Sequence, residues 1–125
     1  MDTQVFVCTH KLFHQPEESM YHPLQVGHAL HEDLGYETDD VGENISKKND
    51  TFCELTGLYW IWKNVACDIV GISHYRRYFF QGDHLITKPE VEELLRDHDV
   101  ILSGVQLNNG KSVLEDYAFH HNRED

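Results

Sequence analysis

The segment Asp68-Ile-Val-Gly-Ile-Ser-His-Tyr-Arg-Arg-Tyr-Phe-Phe80 constrains the fold more than any other part of the chain. Its Ile-Val-Gly-Ile content is apolar without alternation, the pattern of a strand covered on both faces, and such strands belong to parallel sheets. The run opens directly onto His74, Tyr75, Arg76 and Arg77. Because the chain has a formal charge of −12, two adjacent arginines between apolar residues do not reflect general basicity and suggest an anion site.

The remaining segments supply partners for that strand. Gln4-Val-Phe-Val-Cys-Thr9 is a β-branched and apolar run ending in polar Thr9-His10-Lys11, as expected of a buried strand feeding a loop. Residues 12–50 are mixed, with a short helix expected from Leu24 to His31 and turn chemistry at Gly35, Asp39, Asp40, Gly42, Asn44 and Asn49. This stretch is the candidate functional loop.

Thr51-Phe-Cys-Glu54 has the form of a capping box and predicts a helix from Thr51 to Val65, with Phe52, Leu55, Leu58, Tyr59, Trp62 and Val65 facing inward. Asp68 to Ser73 is the second strand. Lys88 to Asp97 reads as a helix with Pro89 in its first turn. Asp99 to Gly104 is expected as a third strand and Lys111 to His121 as a last helix.

This alternation predicts an α/β fold, a mostly parallel sheet flanked by helices, in one domain over residues 1–125. Ligands of such sheets bind beyond the carboxyl ends of the strands. Here those ends are Thr9-His10-Lys11, Ser73-His74-Tyr75-Arg76-Arg77 and Ser103-Gly104, so the arginine pair is expected in a cleft.

Arginine suits a diphosphate because its planar fork offers paired donors and keeps its charge when partly buried. The alternative is that Arg76 and Arg77 pair with acids of the chain. His74 can be a proton shuttle, a donor to a ligand or a satisfied structural histidine, and the same choice holds for His10 beside it. Tyr75 and Tyr78 can stack on a base or sugar, or simply pack. The ten histidines include His28-x-x-His31, His10-x-x-x-His14 and His120-His121, none of which completes a recognised metal spacing. Asp39-Asp40 is a weak candidate for magnesium with a substrate phosphate. No dinucleotide fingerprint, P-loop or nucleophile elbow is present in the sequence.

Acidity argues against nucleic acid as a partner. No signal peptide or membrane span is visible. Cys8, Cys53 and Cys67, an odd number within apolar segments, read as buried thiols of a reducing cytosol, so a cytoplasmic location is expected.

Asn44-Ile-Ser-Lys-Lys-Asn49, Phe52-Cys-Glu-Leu-Thr-Gly-Leu-Tyr-Trp-Ile-Trp-Lys-Asn64 and Val70-Gly-Ile-Ser-His-Tyr-Arg-Arg-Tyr-Phe79 together resemble a bacterial family known as domain of unknown function 4422. That family occurs in capsular and exopolysaccharide synthesis proteins and is treated as a glycosyltransferase family. The resemblance extends over nearly the whole chain, through Pro23-Leu-Gln-Val-Gly27, Leu34-Gly-Tyr36 and Asp39-Asp-x-Gly42 to Tyr117 and His120-His121.

It implies a GT-A-like fold and transfer of a sugar from a nucleotide-sugar donor, a UDP-sugar by expectation, to a capsular, exopolysaccharide or lipopolysaccharide glycan. Many GT-A enzymes place a metal-binding Asp-x-Asp at the strand end held here by His74-Tyr75-Arg76. Cationic side chains are therefore expected to take the part of a divalent metal, with His74, Arg76 and Arg77 at the diphosphate. Thr9, His10, Tyr75 and the Asn44, Ser46 and Asn49 loop would contact the donor, and Asp39 and Asp40 more weakly. Family members continue beyond the equivalent of Asp125, so the chain is expected to be the amino-terminal, nucleotide-sugar-binding portion of such a domain. Peripheral association with polysaccharide assembly machinery is expected. A non-catalytic binding or assembly fragment is the alternative.

Overall fold

Side chains of the first strand, β1 (Thr3–Thr9), alternate between two apolar clusters, Val5 and Val7 entering one and Phe6 and Cys8 the other. A strand buried on both faces belongs inside its sheet. The structure, a computed structural model describing residues 1–104 and Ser112, places it there. With β2 (Tyr21–Gln25), β3 (Glu37–Thr38) and β4 (Ile69–His74) it forms a four-stranded sheet in the order β3-β2-β1-β4. Every pairing in that sheet is parallel. The α/β class read from the alternation is the one observed.

Two helical layers cover the sheet. Trp60 and Ile61 of α2 (Leu55–Asn64) join Phe6, Cys8, Leu24 and Val26 on one face. Val91 of α3 (Lys88–Leu94) joins Val5, Val7, Met20 and Tyr21 on the other. A short antiparallel hairpin, β5 (Phe80–Gln81) and β6 (His84–Leu85), leads into α3.

Several expectations are corrected. The helix expected from Leu24 to His31 is replaced by β2 and a single 3-10 turn at His28–Leu30. Pro23 disguises the strand because it cannot donate to a ladder, yet β3 pairs β2 only at Leu24 and Gln25. At Pro23, β2 is still an edge, where proline is tolerated.

The expected Thr51 to Val65 helix is split into α1 (Asn49–Phe52) and α2, and Glu54 starts α2 without a side-chain cap. The break is at Cys53, the one non-glycine residue with positive φ among the described residues, at 50°. A capping box does form, but at Thr87 and Glu90, where it opens α3.

The buried side of α2 is Thr56, Gly57, Trp60 and Ile61, whereas Leu55, Leu58 and Trp62 are exposed. Close approach decides this rotation. A Cβ on Gly57 would lie 2.7 Å from Val26 Cγ1 and 3.0 Å from Cys8 Sγ, so the helix docks through its smallest residue. Trp60 secures it by donating its indole N–H to the Val41 carbonyl at 2.7 Å.

The third strand expected over Asp99 to Gly104 is also absent. Residues 99–102 instead line an apolar cavity of about 350 Å³ against Ile69–Ile72, with no ladder pairing. The helix expected from Lys111 to His121 lies outside the described residues apart from Ser112. Of the cysteines, Cys8 alone is buried, its thiol pushed up to about 12 by burial and then by Glu54 and Asp39. Cys67 is half-buried and Cys53 exposed. No helix among the described residues is long and apolar enough to cross a membrane.

Candidate functional site

Parallel pairing of β1 and β4, in a register that sets Cys8 beside His74, brings the carboxyl ends of the two strands together. The Tyr75 amide donates to the Cys8 carbonyl at 3.1 Å and holds the two ends side by side. Beyond that point the chain reverses at once. Arg77 N–H donates to the His74 carbonyl at 2.8 Å, and His74 N–H to the Arg77 carbonyl at 3.1 Å. Tyr75 and Arg76 therefore stand at the tip of a tight turn.

Tyr75 organises the surrounding side chains. Its ring centre is 4.4 Å from that of His74 and 5.4 Å from that of His10. The Arg76 guanidinium lies 5.4 Å from the ring centre and the Lys11 ammonium 5.6 Å. These separations are within cation–π range. Cations from both strand ends thus gather round one aromatic ring. Arg76 and Arg77 are exposed, and no ion pair engages either among the described residues. Among the described residues, neither arginine pairs with an acid of the chain.

A cleft of about 450 Å³ opens at the same sheet edge, walled by His10, Val26, His31, Glu32, Asn49 and Glu54 among others. The arginines are not in its lining. Arg76 stands instead on the Tyr75 ring, which touches His10 of the cleft wall, so the expected cleft placement does not hold for this cleft.

His74 joins cleft and turn. Its Nδ1 accepts the Arg76 amide at 3.2 Å, which puts the ring proton on Nε2, and Nε2 lies 3.3 Å from Glu54 Oε1. Burial pulls the His74 pKa below its ordinary value. Glu54 opposes this, and Arg76, His10 and Arg77 add to the lowering. His74 Nε2 thus stands close to the Glu54 carboxylate, at ion-pair distance.

Glu54 is not legible in the sequence as a site residue, because a continuous helix from Thr51 puts it on an outer face. The helix break turns it into the cleft. That break depends on Cys53, whose carbonyl accepts the Asn49 side-chain amide at 2.8 Å. Nothing in the residue type at position 53 announces positive φ.

The loop residues divide by their partners. Asp39 is fully buried. Its carboxylate accepts from Gly27 N–H at 2.9 Å, His28 N–H at 3.2 Å, Ser46 Oγ at 2.6 Å and Thr56 Oγ1 at 2.7 Å. It is the hub that ties the 3-10 turn to α2, and it does not face a ligand. Asp40 is held by His28 Nδ1 at 2.7 Å.

Ser46 is buried on Asp39, and the Asn44 side chain bonds to the Asp40 and Gly42 carbonyls and to the Ser46 amide. The Thr9 hydroxyl, also buried, bonds to the Lys11 amide and carbonyl. These residues shape the rim rather than face it. His10, Tyr75 and Asn49 stand at or beside the cleft. No group of three or more His, Cys, Asp or Glu side chains with metal-holding geometry occurs among the described residues.

A search of curated proteins gives no match. Among solved structures, the chain is similar to one described as "WbbM bifunctional glycosytransferase apo structure", with 40% identity and a TM-score of 0.59 over 62% of this chain. The matched part is 14% of that protein's length, so this chain corresponds to a small share of it. Residues 4–125 match the family described as Domain of unknown function (DUF4422), nearly the whole sequence. The chain belongs to that family.

Proposed function

We propose that this chain is the donor-binding portion of a glycosyltransferase, with the His74–Arg77 turn holding the diphosphate of a nucleotide sugar. The observation that carries this reading is the pair of exposed arginines, free of carboxylate partners among the described residues, at the joined carboxyl ends of two parallel strands. Ligands of parallel α/β sheets bind at that edge. The 40% identity to part of a bifunctional glycosyltransferase supports the same class.

Chemically, departure of a nucleoside diphosphate develops negative charge, and fixed donors aimed at it lower the barrier. Arg76 and Arg77 supply those donors, with Lys11 adding charge from the adjacent strand end. The Arg76 guanidinium and the Lys11 ammonium both lie within cation–π distance of the Tyr75 ring. The donor is a UDP-sugar and the acceptor a growing capsular, exopolysaccharide or lipopolysaccharide glycan, handled on the cytoplasmic side by a bacterial assembly system.

Calorimetric titration of UDP into the chain, with and without manganese, tests the reading. Saturable binding that does not require the metal is expected. Binding seen only with manganese would replace the cationic site with a metal site, and no binding in either condition would remove the nucleotide reading altogether.

A further inference from the structure

The cleft beside the arginine turn has chemistry of its own. Its polar wall pairs the carboxylates Glu32 and Glu54 with the imidazoles of His10 and His31, and the arginines stay outside it. A phosphate would be repelled by those carboxylates, whereas hydroxyl groups match them, because an ionised carboxylate only accepts hydrogen bonds and offers several acceptor positions. A volume of about 450 Å³ lies within the usual range for small-molecule sites and accommodates a sugar ring.

Glu54 is the best placed of these groups. Its side chain is about half exposed to the cleft, and His74 Nε2 stands 3.3 Å from Oε1. No other described residue engages the carboxylate, which leaves Oε2 open. The backbone that aims it is strained, since Cys53 holds φ at 50° between the Asn49 carbonyl, which accepts its amide at 2.9 Å, and the Asn49 side chain. Strain of this kind persists where the surroundings over-determine a conformation, often at ligand sites.

We infer that Glu54 recognises a vicinal diol of the bound donor in this cleft, His74 positioning the carboxylate, while the phosphates remain on the arginine turn. This rests on the nucleotide-sugar reading above. A diol of this kind occurs on the ribose and on the transferred sugar. Two comparisons separate the sources: UDP against 2′-deoxy-UDP for the ribose, and UDP-glucose against UDP for the sugar.

The full chain should discriminate in one of these comparisons by about tenfold or more, the loss expected when a charge-assisted hydrogen bond is removed. Glu54→Ala should erase that discrimination, so that the two ligands of the discriminating comparison bind with equal affinity. Glu54→Gln keeps the shape without the charge and should fall between, which decides the matter if the alanine variant does not fold. His74 has a separate readout: its ring ¹⁵N shifts should report the Nε2–H tautomer and move when the discriminating ligand binds to wild type, but not to Glu54→Ala. Nucleotide binding with no discrimination in either comparison, or discrimination retained in both Glu54 variants, would overturn the role of Glu54 and leave the arginine site standing. Absence of any nucleotide binding to wild type would overturn the reading beneath it.

Discussion

Glu54 Oε1 lies 3.3 Å from His74 Nε2, so a residue at a helix break and a residue at a strand end form one unit across the edge of the sheet. The unit predicts opposite responses in two variants. His74 is held below its ordinary value by burial, with Glu54 opposing and Arg76 among the groups assisting. Glu54→Gln should therefore move His74 titration to still lower pH, and Arg76→Ala should move it upward. Histidine ring signals followed by NMR across an acid titration check both. A shift of the same sign in the two variants would contradict the geometry.

Asp39 makes a prediction about stability. Alanine there leaves two backbone amides and the Ser46 and Thr56 hydroxyls without their shared acceptor. The expected loss is about 2–4 kcal/mol, since buried polar groups left unpaired cost about 1–3 kcal/mol each and relax in part. Melting should fall by on the order of 10–20 °C for a domain of this size. An unchanged melting temperature would remove Asp39 from its place as the hub.

Gly57 tests the docking of α2. Alanine in a helix is ordinarily favoured over glycine by about 1 kcal/mol. Here the new Cβ meets Val26 Cγ1 at 2.7 Å, and overpacking costs about 1–3 kcal/mol. Gly57→Ala should be neutral to destabilising, and Gly57→Val, which adds bulk and lacks the propensity gain, clearly worse. Denaturant unfolding measures both, and a stabilised valine variant would show that the helix docks elsewhere.

His28 supplies a pH dependence. Its Nδ1 meets Asp40 at 2.7 Å and its Nε2 meets Asp33 at 3.1 Å. The hydrogen bond to Asp40, above all, raises its pKa from 6.5. A raised folded value means that the stability from this contact is fully present below the unfolded pKa and is lost as pH rises through the folded one. The stability gap between wild type and His28→Gln should therefore shrink as pH rises above the ordinary histidine value of 6.5. A gap that widens over that range would reverse the assignment.

Much of this architecture is legible in the residues. The unbroken apolar run before His74 and the β-branched run before Thr9 identify the two strands whose parallel pairing builds the site, although the first, read as covered on both faces, is the half-buried edge strand β4. The rest depends on relations that periodicity does not contain. Gly57 rotates α2 so that the leucine stripe faces outward, because backbone proximity outweighs the stripe. Pro23 conceals a strand that becomes acceptable once its missing donor lies on an unpaired edge. Glu54 enters the cleft only because Cys53 breaks the helix, and Asp39 leaves the list of ligand contacts only when its four partners are seen together.

The central claim is that Arg76 and Arg77 hold a nucleotide diphosphate. The most direct measurement is calorimetric titration of UDP into the chain and into the Arg76→Ala plus Arg77→Ala double variant, in metal-free buffer. Both side chains are exposed and outside any ion pair among the described residues, so the double variant should fold with an unchanged melting temperature. Removing two charge-assisted contacts predicts a loss of affinity of at least about a hundredfold. UDP bound equally well by the folded double variant would contradict the account.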